Sequence, residues 1–110
     1  MRPATLLFRV AVAGASMEPT FHDGDWLLVR QLRRPPREGE VVIATDPRES
    51  ERLLVKRVRS VVGDQVIVQG DHADPAESTD SRQFGPIPGS AVVGRPLLRY
   101  APLHRFGFVR

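Results

Sequence analysis

A single lysine stands among fifteen arginines in this chain of 110 residues, at position 56 within "RLLVKRVRSVV" (52–62). The stretch alternates with period two, as a strand does. Leu54, Lys56, Val58 and Val62 then fall on one face, with Arg57 and Arg59 on the other. An amine held among hydrocarbon is poorly hydrated when charged, so its pKa falls. A guanidinium stays protonated under the same conditions, and arginine cannot take this role. A neutral lysine is a general base; a lysine that reaches solvent is an ordinary surface cation.

A base needs a partner, and "GASMEPT" (14–20) supplies Ser16. Gly14 permits close backbone approach, and backbone N–H groups at this turn could face a developing oxyanion. A serine just after a strand also commonly forms a turn or caps a helix. The hydroxyl becomes nucleophilic only when an unprotonated base is beside it, so Ser16 and Lys56 gain meaning as a pair. The histidines, His22, His72 and His104, lie at no metal-ligand spacing, and nothing local supports a Ser–His–Asp triad. The chain has no cysteine, which excludes disulfides, thiolate catalysis and thiolate metal sites. No metal and no other cofactor is expected.

The elements that must position this pair are short. Ten prolines and nine glycines in 110 residues mean many turns, which favours a mainly β chain over a helical bundle. One domain spanning 1–110 is expected. Leu6, Phe8, Val10 and Val12 alternate as a first strand running into Ser16, and "WLLVR" (26–30) and "VVIA" (41–44) read as two more. "TDPRESE" (45–51) reads as an exposed turn, and 52–69 as a hairpin about Gly63–Asp64. Residues 70–89 have no periodicity; so long a loop in so small a domain points to function or an ordered, turn-rich excursion. A last strand covers about 91–100, followed by the tail "YAPLHRFGFVR".

The net charge of +3 and pI near 10.5 raise nucleic acid or an anionic membrane as partners. The densest basic run, "RQLRRPPR" (30–37), reads as a solvated loop. Aromatics at 6%, mostly near the ends, are thin for a base-stacking platform, so no nucleic-acid partner is expected. No stretch approaches the roughly 20 apolar residues of a membrane span. The N-terminal apolar run is short for a secretory signal and is interrupted by Arg9. A soluble chain without a transmembrane anchor is expected.

Three boxes resemble those of the signal peptidase I family. "GASMEPTF" (14–21) is similar to the nucleophile box, Ser-Met-x-Pro-Thr-apolar, and "VKRVRSVVGD" (55–64) to the lysine box. "GDHADPAESTDSRQFGPIP" (70–88) resembles the third box, Gly-Asp-Asn followed by Ser-x-Asp-Ser-Arg-x-x-Gly. The resemblance implies a single compact domain of coiled antiparallel sheets. Its parts would be an N-terminal strand and nucleophile box (6–21), a lysine-box hairpin (52–69), the third-box loop (70–89) and a C-terminal strand and tail (91–110). It implies a serine endopeptidase with Ser16 as nucleophile and Lys56 as base. Ser78 would orient Lys56, Asp80 and Arg82 would form a supporting ion pair, and the Ser16 N–H would serve the oxyanion with Gly14 allowing close approach. Two departures stand out: Gly14 occupies a position where some members carry a serine oxyanion donor, and His72 replaces the asparagine of the third box.

A short chain without the family's membrane helices is most similar to the proteases that mature nickel-type superoxide dismutase by removing an N-terminal propeptide. That reading implies a protein precursor as partner and a cytoplasmic location. The alternatives are signal peptidase proper, acting on secreted preproteins at the membrane, and, from another class, a small basic β-barrel that binds nucleic acid. The self-cleaving SOS-repressor peptidases share the serine–lysine chemistry but fit the third box poorly.

Overall fold

The structure, a computed structural model, describes residues 6–109. Eight strands form one antiparallel sheet: β1 (Leu7–Ala11), β2 (Trp26–Gln31), β3 (Val41–Asp46), β4 (Glu49–Val62), β5 (Gln65–Gln69), β6 (Ile87–Pro88), β7 (Val92–Ala101) and β8 (Gly107–Phe108). Their order is β1-β2-β7-β3-β4-β5-β6, with β8 added to β7. The chain is mainly β, in one compact domain, as the turn-rich composition implies. Among the described residues, helix is confined to α1 (Ser81–Phe84) and three single 3-10 turns.

The unbroken apolar run Val41–Ala44 determines where β3 lies. A strand apolar on both sides needs cover on both faces. Val41 and Ile43 pack with Val12, Met17, Phe21, Leu27 and Val29, while Val42 and Ala44 pack with Val58, Val66, Val68, Ile87 and Val92. The first cluster holds the segment around Ser16. The second covers the face that carries Lys56, which lies opposite Val42 in the β3–β4 register. Each of the larger apolar side chains so buried contributes about 1.5–3 kcal/mol, and Leu27→Ala or Ile43→Ala would cost about 2–5 kcal/mol.

Two expectations are corrected here. "TDPRESE" is not an exposed turn: β3 runs to Asp46 and β4 begins at Glu49, so only Pro47 and Arg48 turn, and Asp46 is buried. Its carboxylate receives the Arg48 backbone N–H and guanidinium. Val62 does not share the Lys56 face. The β4–β5 register passes from Val58↔Val68 to Ser60↔Ile67, leaving Arg59 as the extra residue of a bulge. A bulge reverses the alternation beyond it, and Val62 is 66% exposed.

The stretch 70–89 is an ordered excursion. It contains a 3-10 turn (Pro75–Glu77), α1, and β6, which pairs with β5. Asp80 caps α1 in a reciprocal capping box with Gln83. In the tail, Val109 packs against the first cluster, while Phe106 and Phe108 meet edge to face at 5.9 Å and remain exposed. No helix among the described residues is long and apolar enough to cross a membrane.

Candidate active site

Lys56 enters from the middle of β4 and is only 4% exposed. Val42 and Val58 are its neighbours on that face, so its four methylenes meet hydrocarbon and its amine must find a polar partner within the fold. The amine donates to Ser78 Oγ at 3.2 Å, and Ser78 Oγ donates to Asp80 Oδ2 at 2.7 Å. Asp80, fully buried, also receives the Gly70 N–H at 2.9 Å and a two-point contact from the Arg82 guanidinium. The chain Lys56–Ser78–Asp80–Arg82 is therefore continuous.

Proton direction matters in this chain. The one Ser78 hydroxyl proton goes to Asp80, so toward the amine Ser78 can only accept. An uncharged amine keeps its lone pair for another group. Burial lowers the Lys56 pKa, Asp80 pulls it back up, and the Arg48 and Arg82 guanidinium groups lower it further. Burial works to raise the Asp80 carboxyl, but Arg82, Ser78 and the Gly70 N–H outweigh it and hold that group far below the usual carboxylate range. Asp80 thus stays charged, and Arg82 offsets part of its pull on the amine.

Ser16 lies in the turn after β1, half-buried, with the Glu18–Pro19 peptide cis just beyond it. Its carbonyl accepts the His72 N–H at 3.0 Å, tying the segment to the third-box loop. Ser16 and Lys56 line one cavity of about 400 Å³, with Ala11, Val12, Leu54 and Thr79 among its walls. Among the described residues, the hydrogen bond of the amine goes to Ser78, and none joins it to Ser16 Oγ. Such contacts commonly tighten only when substrate closes the site.

Gly70 locks the two halves together, a role its sequence position did not reveal. A Cβ added there would lie 2.3 Å from Ser78 Oγ and 2.4 Å from the Ser16 carbonyl oxygen. Only a residue without a side chain lets the nucleophile segment and the lysine's partner pack against the same backbone point. Gly14 acts differently from expectation. An added Cβ there meets nothing within 4 Å, and the residue's φ is +82°. Glycine serves a left-handed backbone at that position, and its N–H is taken by Asp23 Oδ1 at 2.8 Å.

Arg48, read from sequence as part of an exposed turn, lines the same cavity and stacks over Phe84. Its turn reaches both only in the folded chain. His22 contacts Glu18, the His72 ring accepts the Asp74 N–H, and His104 is exposed, so no histidine enters the cavity. Among the described residues no cluster of His, Asp and Glu could hold a metal ion. A larger cavity, about 660 Å³, lies between Leu32–Pro36 and the Gly63–Asp64 turn, but it brings no serine to a buried base.

A serine and a buried lysine on one cavity wall, within a small antiparallel fold, are the pairing that a Ser–Lys peptidase uses. The family model described as signal peptidase, peptidase S26, matches residues 3–74, and the chain belongs to that family. It is similar to the human mitochondrial inner membrane protease subunit 1, 32% identical over 92% of this chain and 74% of the relative. It is 34% identical to the Arabidopsis thaliana mitochondrial ATP-independent inner membrane protease subunit 1a, over 90% of this chain and 73% of the relative. The Xenopus tropicalis subunit 1 is 33% identical over 89% of this chain and 71% of its own. The expectation of a cytoplasmic location is corrected by these relatives, which by name are proteases of the mitochondrial inner membrane.

Proposed function

We propose that this chain is a serine endopeptidase that removes leader segments from preproteins presented at a membrane, with Ser16 as nucleophile and Lys56 as general base. The observation that carries the reading is the buried amine on the same cavity wall as Ser16, its partner Ser78 able only to accept from it. In the first step the neutral amine takes the Ser16 hydroxyl proton as Oγ attacks the scissile carbonyl. The Ser16 N–H stabilises the oxyanion, and the lysine then gives its proton to the departing amine. Water repeats the sequence on the acyl-enzyme. Ser78 holds the amine in place, and Asp80 with Arg82 holds Ser78.

The membrane reading replaces the nickel dismutase propeptide as the favoured substrate. It is supported by the relatives' names and by an outward apolar surface that includes Trp26 (41% exposed), Phe106 (53%) and Phe108 (77%). Aromatic side chains are enriched at membrane–water interfaces. The test is to incubate the purified chain with a leader-bearing preprotein in lipid vesicles and, separately, with a nickel dismutase precursor. Product masses then identify what is cut. Cleavage of the preprotein by wild type and not by Ser16→Ala is expected. Cutting of the dismutase precursor alone would return the substrate assignment to the propeptide, and cutting by Ser16→Ala would remove Ser16 from its role.

A further inference from the structure

The basic run at residues 30–37 gains a partner that its sequence does not contain. In the β2–β7 register Arg30 lies directly opposite Arg95, two like charges in a cross-strand pair. Such a pair is destabilising by itself. Arg30 and Arg95 line one cavity of about 280 Å³ together with Arg33 and Arg34. A water molecule's share of liquid volume is about 30 Å³, so the space takes a larger group. Arg34 is answered by Glu40 in a two-point contact. Arg95 lies close enough to that same carboxylate for its charge to help hold the Glu40 pKa down, so one carboxylate faces both Arg34 and Arg95.

The surroundings select among anions. Arg30 also faces Leu7 of β1, which is 56% exposed. The same sheet face continues through Leu28 and its partner Leu98 to the exposed Phe108. An anion seated among the arginines thus borders hydrocarbon on the β1 side. A phosphodiester with acyl chains fits that boundary. A free phosphate or a nucleic-acid strand would leave the apolar side uncovered.

We propose that Arg30 and Arg95 bind the phosphate of an anionic phospholipid headgroup and seat this sheet face on the bilayer. The site is separate from the Ser16–Lys56 cavity and does not rest on the catalytic assignment. Arginine suits the task because its planar fork meets phosphate oxygens two at a time.

The experiment is sedimentation of the full chain with vesicles of phosphatidylcholine alone and of phosphatidylcholine mixed with phosphatidylglycerol. Wild type and Ser16→Ala should bind the anionic vesicles equally. Arg30→Gln/Arg95→Gln should bind them about thirtyfold more weakly, while Arg37→Gln/Arg59→Gln, with the same loss of charge, stays near wild type. Without lipid, Arg30→Gln/Arg95→Gln should melt no lower than wild type and should cut a soluble peptide at the same rate, because the like-charge pair is gone and the fold and cavity are kept. Equal weakening in both double variants would reduce the effect to general charge and overturn the proposal. So would a lower melting point for the Arg30/Arg95 variant. Stabilisation of wild type by inorganic phosphate without any preference for anionic vesicles would make this a free-phosphate site. Loss of oligonucleotide binding with vesicle binding unchanged would make it a nucleic-acid site.

Discussion

Two buried aspartates, Asp25 and Asp80, lie beneath the two halves of the candidate active site, and they are satisfied in opposite ways. Asp25 sits at the end of the nucleophile segment. It receives the His22 N–H at 2.8 Å together with Arg99 and Arg105, which are 74 and 80 residues away in sequence. Arg99 also donates to the Thr20 carbonyl at 3.0 Å. Asp80 takes its cation from Arg82, two residues on, and what reaches it from afar is Lys56, through the Ser78 hydroxyl. Long-range cations make Asp25 a strap between the tail and the nucleophile segment. A local cation offsets part of the Asp80 charge, and the lysine touches a hydroxyl rather than the carboxylate itself. One aspartate secures the fold; the other acts on the charge of a buried amine.

The largest effects should fall on the lysine half. Ser16→Ala and Lys56→Met should each lower kcat by about 10⁴-fold, the loss of a nucleophile or of its base. Methionine matches the lysine stem, so at this buried position the variant should fold as well as wild type, whereas a permanently charged arginine would be poorly accommodated. Steady-state cleavage of a leader-bearing peptide measures this. A Lys56→Met variant retaining a tenth of the wild-type rate would refute the base.

Asp25→Ala breaks the other half. It leaves two arginines without their carboxylate and should cost about 3–5 kcal/mol of stability in chemical denaturation. Below its melting temperature, the remaining folded protein should keep a pH–rate profile like wild type's. A displaced profile would mean that Asp25 also tunes the chemistry and would erase the contrast between the two aspartates. Gly70→Ala comes next, because it strikes where the halves meet. Forcing Ser78 Oγ and the Ser16 carbonyl apart should cost about 1–3 kcal/mol and about 10²-fold in kcat from a shift of about 1 Å. Loss of stability with kcat intact would show that the junction is merely structural.

The chemistry was legible in the sequence to the extent that it rests on residue types at fixed points. A lone lysine on an alternating strand and a serine after a strand were readable from the residues, and the resemblance of the third box pointed to Ser78, Asp80 and Arg82. The structure joins Lys56, Ser78, Asp80 and Arg82 by hydrogen bonds and puts Ser16 on the same cavity as Lys56. The mainly β fold follows from turn density and alternation in the same way. What stayed hidden depends on segments meeting. Gly70 matters because Ser16 and Ser78 converge on it, and nothing in "QGD" announces that. Val62 was assigned to the wrong face because a bulge at Arg59 has no period of its own. Arg48 was missed because its turn reaches the cavity and the Phe84 ring only in the folded chain. Arg95 joins Arg30 only through strand register.

The finest separation of the two aspartates is electrostatic. Activity should rise with pH as Lys56 sheds its proton, along a limb set by burial, by Asp80 and by the two nearby arginines. Arg82→Gln removes a cation that disfavours the ammonium and uncovers the Asp80 charge that favours it. Lys56 then keeps its proton to higher pH, and the acid limb of kcat/KM should move toward alkaline pH. Asp25→Asn should leave the limb where it is. The same depressed pKa has a consequence for stability. Between the lowered native value and the unfolded value of about 10.4, the unfolded chain binds the extra proton, so wild type gains stability as pH rises through that window. Lys56→Met lacks this slope, and its advantage over wild type should narrow as pH climbs. Denaturation curves across alkaline pH measure the gap; a constant gap would mean that the amine keeps its proton in the folded state, and the proposed base would be lost with it.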